Sequence, residues 1–269
     1  LSYKSGTDRS SGLTPRGESG KVLPMPTTTQ RIITCLLPAI MVPALSADEP
    51  EVLQEFFNEK LDLKWKVIRP DKEHVSLKTN PGQLTVTTQR GTIHGNEKQD
   101  AFSEGTQAKN IHLVDREIPA NVDFVTTIAI HKFEPEMFYH QVGLIAYQDD
   151  DNYTKWSIEK ANSVSTPVRM LLVCENNARP SHNMLTPIEI DGPFWLRFER
   201  TGPDWICRHS KDGKSFQAVG VHTFEFSDTK RPVRVGFIAK NGGNPAAAEI
   251  DVVIDSFELK VYPPIAEDE

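Results

Sequence analysis

Along most of the chain apolar and polar side chains alternate with a period of two. Leu84, Val86 and Thr88 alternate with Thr85, Thr87 and Gln89 after the turn Asn80-Pro81-Gly82. Phe124, Thr126, Ile128 and Ile130 alternate with Val125, Thr127, Ala129 and His131. Segments 142–148 and 153–160 flank Asp149-Asp150-Asp151-Asn152, which reads as a hairpin loop. Strand-like segments 168–173, 194–200 and 205–210 follow, and Lys211-Asp212-Gly213-Lys214 is a second hairpin signal. Near the end, Val233, Val235, Phe237 and Ala239 share one parity, as do Phe257, Leu259 and Val261. Successive side chains of a strand point to opposite faces, so this period predicts half-buried strands. With turn signals between them, it predicts an all-β, two-sheet antiparallel sandwich over residues 50–262. The one candidate helix is 50–60, with a loop leading into the first strand as the alternative. Trp156 shares parity with Ile158 and is expected inside.

The N-terminal part departs from this pattern. Residues 1–24 are rich in Ser, Gly and Thr and lack periodic apolar positions. Such a stretch buries too little surface to offset its ordering entropy, so it is expected to be disordered or to precede a later start at Met25. Residues 25–47 carry Arg31, then an apolar run from Ile32 to Leu45, then the small residues Ser46 and Ala47 before Asp48. That order is the layout of a secretory signal peptide. The expected location is secreted or periplasmic, with 263–269 a polar tail.

The quoted segments, with FFNEKLDLKW (56–65), NIHLVDREIPANVDFVTTIAI (110–130), FEPEMFYHQVGLIAYQDDDNYTKWSIEK (133–160), PFWLRFERTGPDWICRHSKDGKSF (193–216) and RPVRVGFIAKN (231–241), resemble a known family. They are similar to the concanavalin A-like β-sandwich at the C-terminus of family-43 glycoside hydrolases (β-xylosidases) and to its stand-alone bacterial relatives. The resemblance implies a jelly roll of two antiparallel sheets, one concave. It also implies an accessory role beside a catalytic β-propeller, for which this chain has no room.

Composition narrows the partners. Of 269 residues, 38% are hydrophobic and 25% charged, and the formal net charge is −7. An acidic chain offers no basic field to release counterions from phosphate, so nucleic acid is not an expected partner. Once a signal peptide is removed, no membrane is expected either. A polysaccharide or oligosaccharide fits the resemblance.

Candidate chemistry is sparse. Glycosidases need two carboxyl groups about 5–10 Å apart across a cleft. The pairs Glu134/Glu136, Glu189/Asp191 and Asp251/Asp255 fall in loops, turns or beside apolar runs, and no residue is expected to be catalytic. Asp149 and Asp151 in the acidic loop, and Asp255, have the oxygen ligands of a hard cation. A turn that caps its own amides is the preferred reading, and a structural Ca²⁺ stays open. No other cofactor is expected. Cys174 and Cys207 either pair, as exported thiols do, or fill the core. Sugars bind by stacking on aromatic rings and by hydrogen bonds to hydroxyls. On that basis Tyr139, His140 and Gln148, with His131, Arg169 and Arg197 on a polar sheet face, are the candidate ligand contacts. Gly143 and Gly236 leave room for a ligand or another segment to approach. The reading that follows is a non-catalytic carbohydrate-binding module. Its rivals are a lone sandwich hydrolase or lyase and a structural interaction module whose open face is filled by its own loops.

Overall fold

A computed structural model describes residues 49–93, 107–119, 121–161 and 168–264. The expected extension 1–24, the expected leader 25–47 and most of the expected tail lie outside the described residues. In chain order the strands are β1 (Glu51–Glu55), β2 (Trp65–Ile68), β3 (Val75–Ser76), β4 (Leu84–Thr87), β5 (Ile111–Val114), β6 (Phe124–Lys132), β7 (Gln141–Asp149) and β8 (Asn152–Lys160). They continue as β9 (Val168–Asn176), β10 (Arg179–Pro187), β11 (Phe194–Thr201), β12 (Asp204–Ser210), β13 (Gln217–Thr223), β14 (Arg234–Lys240) and β15 (Asp251–Val261). The one helical element among the described residues is a 3₁₀ turn at Lys72–His74.

These strands make two antiparallel sheets, as the alternation predicts. The first runs β13-β12-β11-β6-β15-β4-β3, and β1 joins it beside β15. The second runs β10-β9-β8-β7-β14-β5-β2. Between them lies the main core. Ile128, Leu196, Phe198, Trp205, Phe257 and Leu259 from the first sheet meet Leu144, Trp156, Ile158, Leu172, Val235 and Phe237 from the second. Burying each such side chain contributes roughly 1.5–3 kcal/mol. Trp156 is inside, as its parity predicts, and its indole N–H donates to the Arg208 carbonyl at 3.0 Å. Since Trp156 is on β8 and Arg208 on β12, that bond ties the two sheets together.

Residues 50–60 are not helical. Glu51 to Glu55 pair with Val261 to Phe257, completing the edge of β15 that β4 leaves free. The buried Glu55 carboxylate then organises the following loop. It accepts from the backbone N–H of Phe57 (3.2 Å), Asp62 (2.9 Å) and Leu63 (2.9 Å) and from the Trp65 indole (3.3 Å). A carboxylate with four donors is satisfied without water, which is why it tolerates full burial.

Cys174 and Cys207 are both free thiols in the main core. Burial pushes the Cys174 thiol up to about 11 and the Cys207 thiol higher still. They serve as small buried hydrophobes.

Both hairpin turns form where expected. Asp149 Oδ1 accepts from the Asp151 amide (2.8 Å) and the Asn152 side chain (2.9 Å), closing the β7–β8 turn. Asp212 Oδ1 accepts from the Lys214 and Ser215 amides, each at 2.8 Å, with Gly213 at φ 69°.

The second sheet is covered on both faces. Every residue of β7 from Gln141 to Gln148 is buried. On its outer face Ile111, Leu113, Ile145, Tyr147, Tyr153, Leu171, Val173 and Ile238 form a second apolar cluster. Ile93 and Ala108 cap that cluster, and the Ala108 amide donates to the Thr92 carbonyl at 2.6 Å.

A candidate binding cavity on the outer face of the second sheet

Register alone assembles a charged row across this outer face. Lys240 pairs with Gln141, Gln141 with Glu159, and Glu159 with Arg169. These residues share parity with Ile145, Tyr153 and Leu171, not with the inward Leu144, Trp156 and Leu172. The next row is Ile238, Gly143, Ser157 and Leu171. Its two central residues are small and buried. Beyond it stands Lys155, opposite Ile145 and Val173.

The side chains then connect. The Gln141 amide donates to Glu159 Oε2. Arg169 donates from Nε (2.9 Å) and Nη2 (2.6 Å) to Glu159 Oε1. Lys155 Nζ reaches back to Gln141 Oε1 at 2.5 Å. Lys240 Nζ donates to the Asn241 carbonyl at 3.3 Å. Together with Tyr139, Tyr153 and an apolar wall of Ile93, Leu171, Val173 and Leu185, these groups line a cavity of about 420 Å³. That volume suits a small ligand.

Burial makes the two lysines unusual. It lowers Lys155 to about 7, with repulsion from Lys240 adding to the effect and Glu159 and Glu175 opposing it. Burial also lowers Lys240 to about 8, opposed by Glu159. Tyr153 is raised well above 10, first by burial and then by Glu175. The cavity therefore presents N–H donors from Lys155, Lys240 and Arg169 around a single lining carboxylate among the described residues. Two carboxyl groups facing each other, as glycoside hydrolysis requires, are not among the described lining residues.

Of the six predicted ligand contacts, this cavity takes Tyr139 and Arg169. The other four lie elsewhere. His140 is fully buried, accepts at Nδ1 from the Glu136 (3.2 Å) and Met137 (3.3 Å) amides and bonds the Ala248 carbonyl through Nε2 (2.8 Å). With Nδ1 accepting, Nε2 carries the proton and the ring is neutral, a state that burial also favours. Gln148 donates to the Asp228 (3.0 Å) and Arg231 (2.7 Å) carbonyls and holds that loop. His131 and Arg197 are on β6 and β11 of the other sheet. His131 sits 3.7 Å from Asp255, and Arg197 stacks 3.6 Å over Phe216.

Gln141, Lys155, Glu159 and Lys240 are absent from that expectation. Their signal was parity: with Trp156 and Ile158 inside, Lys155 and Glu159 must be on the opposite face. The room beside Gly143 and Gly236 is taken by protein. A Cβ on Gly143 would overlap the Trp156 carbonyl oxygen, and one on Gly236 would overlap that of His112. Of the two approaches the glycines predict, the neighbouring strand is the one observed.

Several of the acid-pair and cation candidates have partners within the protein. Glu134 pairs with Lys132 (3.1 Å), Asp191 with Lys211 (3.0 Å), and Asp251 accepts from Thr87 (2.6 Å). Asp149 also pairs with Arg231, and Asp255 accepts from Gln83 at 2.5 Å. No group of three metal-ligating side chains occurs among the described residues.

A larger cavity of about 990 Å³ lies beside β2 and β3 at the sandwich edge, lined by Phe57, Leu61, Trp65, Val75 and Leu77. Its polar groups serve their own loop. Asn110 bonds the Asp71 amide (2.7 Å) and carbonyl (3.0 Å), and His112 Nδ1 bonds the Asn110 carbonyl (2.8 Å). The outer-face cavity brings charged and amide side chains from four strands into one lining.

Comparison with solved structures agrees with this architecture. The family-43 protein BlXynB of Bacillus licheniformis superposes with a TM-score of 0.62 at 20% identity, over 78% of this chain and 39% of that one. Xylan β-1,4-xylosidase of Bacillus halodurans C-125 gives 0.58 at 16% identity, over 79% of this chain and 39% of that one. The chain thus spans about two fifths of the length of these hydrolases. Winged bean acidic lectin, solved with methyl-α-D-galactose, gives 0.51 at 12% identity over 80% of this chain and 99% of that one. At these identities the likeness establishes the concanavalin A-like sandwich fold. No functionally curated protein matches the chain. Residues 78–261 match the family DUF1349, described as a protein of unknown function, and the chain belongs to that family.

Proposed function

We propose that this protein is a non-catalytic carbohydrate-binding module, acting outside the cytoplasm, with its ligand held in the outer-face cavity of the second sheet. The observation that carries this reading is the row Lys240–Gln141–Glu159–Arg169 beside Lys155 and Tyr139. Sugar hydroxyls are recognised by such amide, carboxylate and ammonium groups set against apolar walls. Glu159 is the one lining carboxylate among the described residues, which supports binding over hydrolysis, and winged bean acidic lectin, of similar fold, was solved with a sugar.

The test is retention on insoluble xylan, cellulose and chitin, with a glycan array beside it, for the wild type and for Arg169→Met. Retention that the variant loses supports the reading. A folded wild type that no glycan retains contradicts it. The export part of the proposal rests on residues 25–47 and is checked by N-terminal sequencing of the protein recovered from its native cells. A mature terminus near Ala47 is expected; an intact 25–47 segment on a cytoplasmic protein opposes it.

A further inference from the structure

We propose that the saccharide recognised at this cavity is acidic, a sugar whose carboxylate sits among Lys155, Lys240 and Arg169. This rests on the carbohydrate reading and narrows it.

The argument begins with charge. The formal net charge of the chain is −7, yet three cations converge on one cavity whose lining holds Glu159 as its carboxylate among the described residues. Glu175, one row away and opposite Tyr153, bonds the Tyr153 side chain and also acts on Lys155, so among the described residues three basic side chains face two carboxylates. Among the described residues His182, Tyr139 and Tyr153 complete the titratable lining, and Arg90, nearby, donates to the Gly243 carbonyl at 2.7 Å.

Donor accounting points the same way. Each ammonium has three N–H groups. Lys155 gives one to Gln141, and Lys240 gives one to Asn241. Arg169 gives Nε and Nη2 to a single oxygen of Glu159. The buried Ser157 hydroxyl, on β8 between Lys155 and Glu159, has no hydrogen-bond partner among the described residues. Buried donors left over are unfavourable until an acceptor arrives, and a carboxylate brings two oxygens and the opposite charge. A neutral hydroxyl answers the same donors one at a time and without charge.

Burial holds the free Lys155 near 7 and Lys240 near 8. An arriving anion favours their charged forms, so binding takes up protons and weakens as pH rises through this range.

The test is titration calorimetry with a xylo-oligosaccharide bearing a glucuronic acid branch, the same oligosaccharide with its carboxyl reduced to the alcohol, and inorganic phosphate. On the order of tenfold or more preference for the acidic sugar is expected, from one or more charge-assisted hydrogen bonds. That preference should shrink in Lys240→Met and between about pH 6.5 and about pH 9.5. The pH series uses the wild type, so it decides the matter even if the variant fails to fold. Equal binding of the acidic and reduced sugars overturns this inference and leaves the carbohydrate reading standing. A preference undiminished in the variant and at high pH also overturns it. Binding of neither sugar overturns both. Phosphate bound as tightly as the acidic sugar reveals a bare anion site and overturns the saccharide assignment.

Discussion

Replacing Lys155 with Met should change how stability depends on pH. In the folded protein burial lowers Lys155 from 10.5 to about 7. The unfolded chain keeps this proton up to its ordinary value, so between these limits the unfolded state binds more protons. Stability then rises with pH, by up to about 1.4 kcal/mol per pH unit for one group. Below about 7 both states are protonated and the full penalty of the buried ammonium is present. From pH 7 to pH 9, allowing for half-titration at the start, the wild type should gain about 2 kcal/mol relative to Lys155→Met. Taking the difference between the two proteins cancels the thiols and tyrosines, which titrate in the opposite sense. Repulsion from Lys240 is already part of the lowering of Lys155 and adds no separate contribution. The assay is urea unfolding followed by tryptophan fluorescence, since Trp156 and Trp205 are fully buried reporters. Stability curves for the two proteins that run parallel from pH 6 to pH 9 would refute the buried, readily deprotonated Lys155.

Other substitutions test the frame that holds the cavity. Gly236→Ala drives a methyl into the His112 carbonyl oxygen and should lower stability by about 2–4 kcal/mol, read as the urea midpoint. Trp156→Phe removes the 3.0 Å bond to the Arg208 carbonyl and leaves a void, so a loss of about 2–4 kcal/mol is expected in the same assay. Cys174 and Cys207, buried and with raised pKa, should resist a thiol reagent in the native protein and label in urea, as peptide mass spectrometry would report. Rapid native labelling of either would place it outside the core.

Much of the fold was legible because residue type alternates along most strands, with one wetter face on β6 and β11 and the same alternation on β8 and β14 although both of their faces are buried. The alternation of β6, β8, β11 and β14 marks them at once, and the parity of Trp156 puts it between the sheets. Strands at edges left weaker marks. β10 holds Pro180 and Pro187 and is mostly exposed, and β13 is a partly exposed edge beside β12. β5 is buried at all four positions and so lacks alternation. β1 looked helical because its pairing with β15 is set by residues some two hundred positions away.

The candidate site was harder for a related reason. Lys155 and Glu159 in an alternating strand look like ordinary solvent-facing charges. Only tertiary structure shows that Ile93 and Ala108 shelter that face and that four strands bring Lys240, Gln141, Glu159 and Arg169 into one row. The His140 and Gln148 side chains satisfy backbone groups, a role that composition does not reveal.

Hydrogen–deuterium exchange, with and without the acidic xylo-oligosaccharide, tests most directly where the ligand sits. Slower exchange confined to β7, β8, β9 and the C-terminal end of β14 around Lys240 is the expected result. Slower exchange confined to β6, β11 and β12, the strands around His131 and Arg197, would contradict the assignment of the second sheet's outer face as the binding surface.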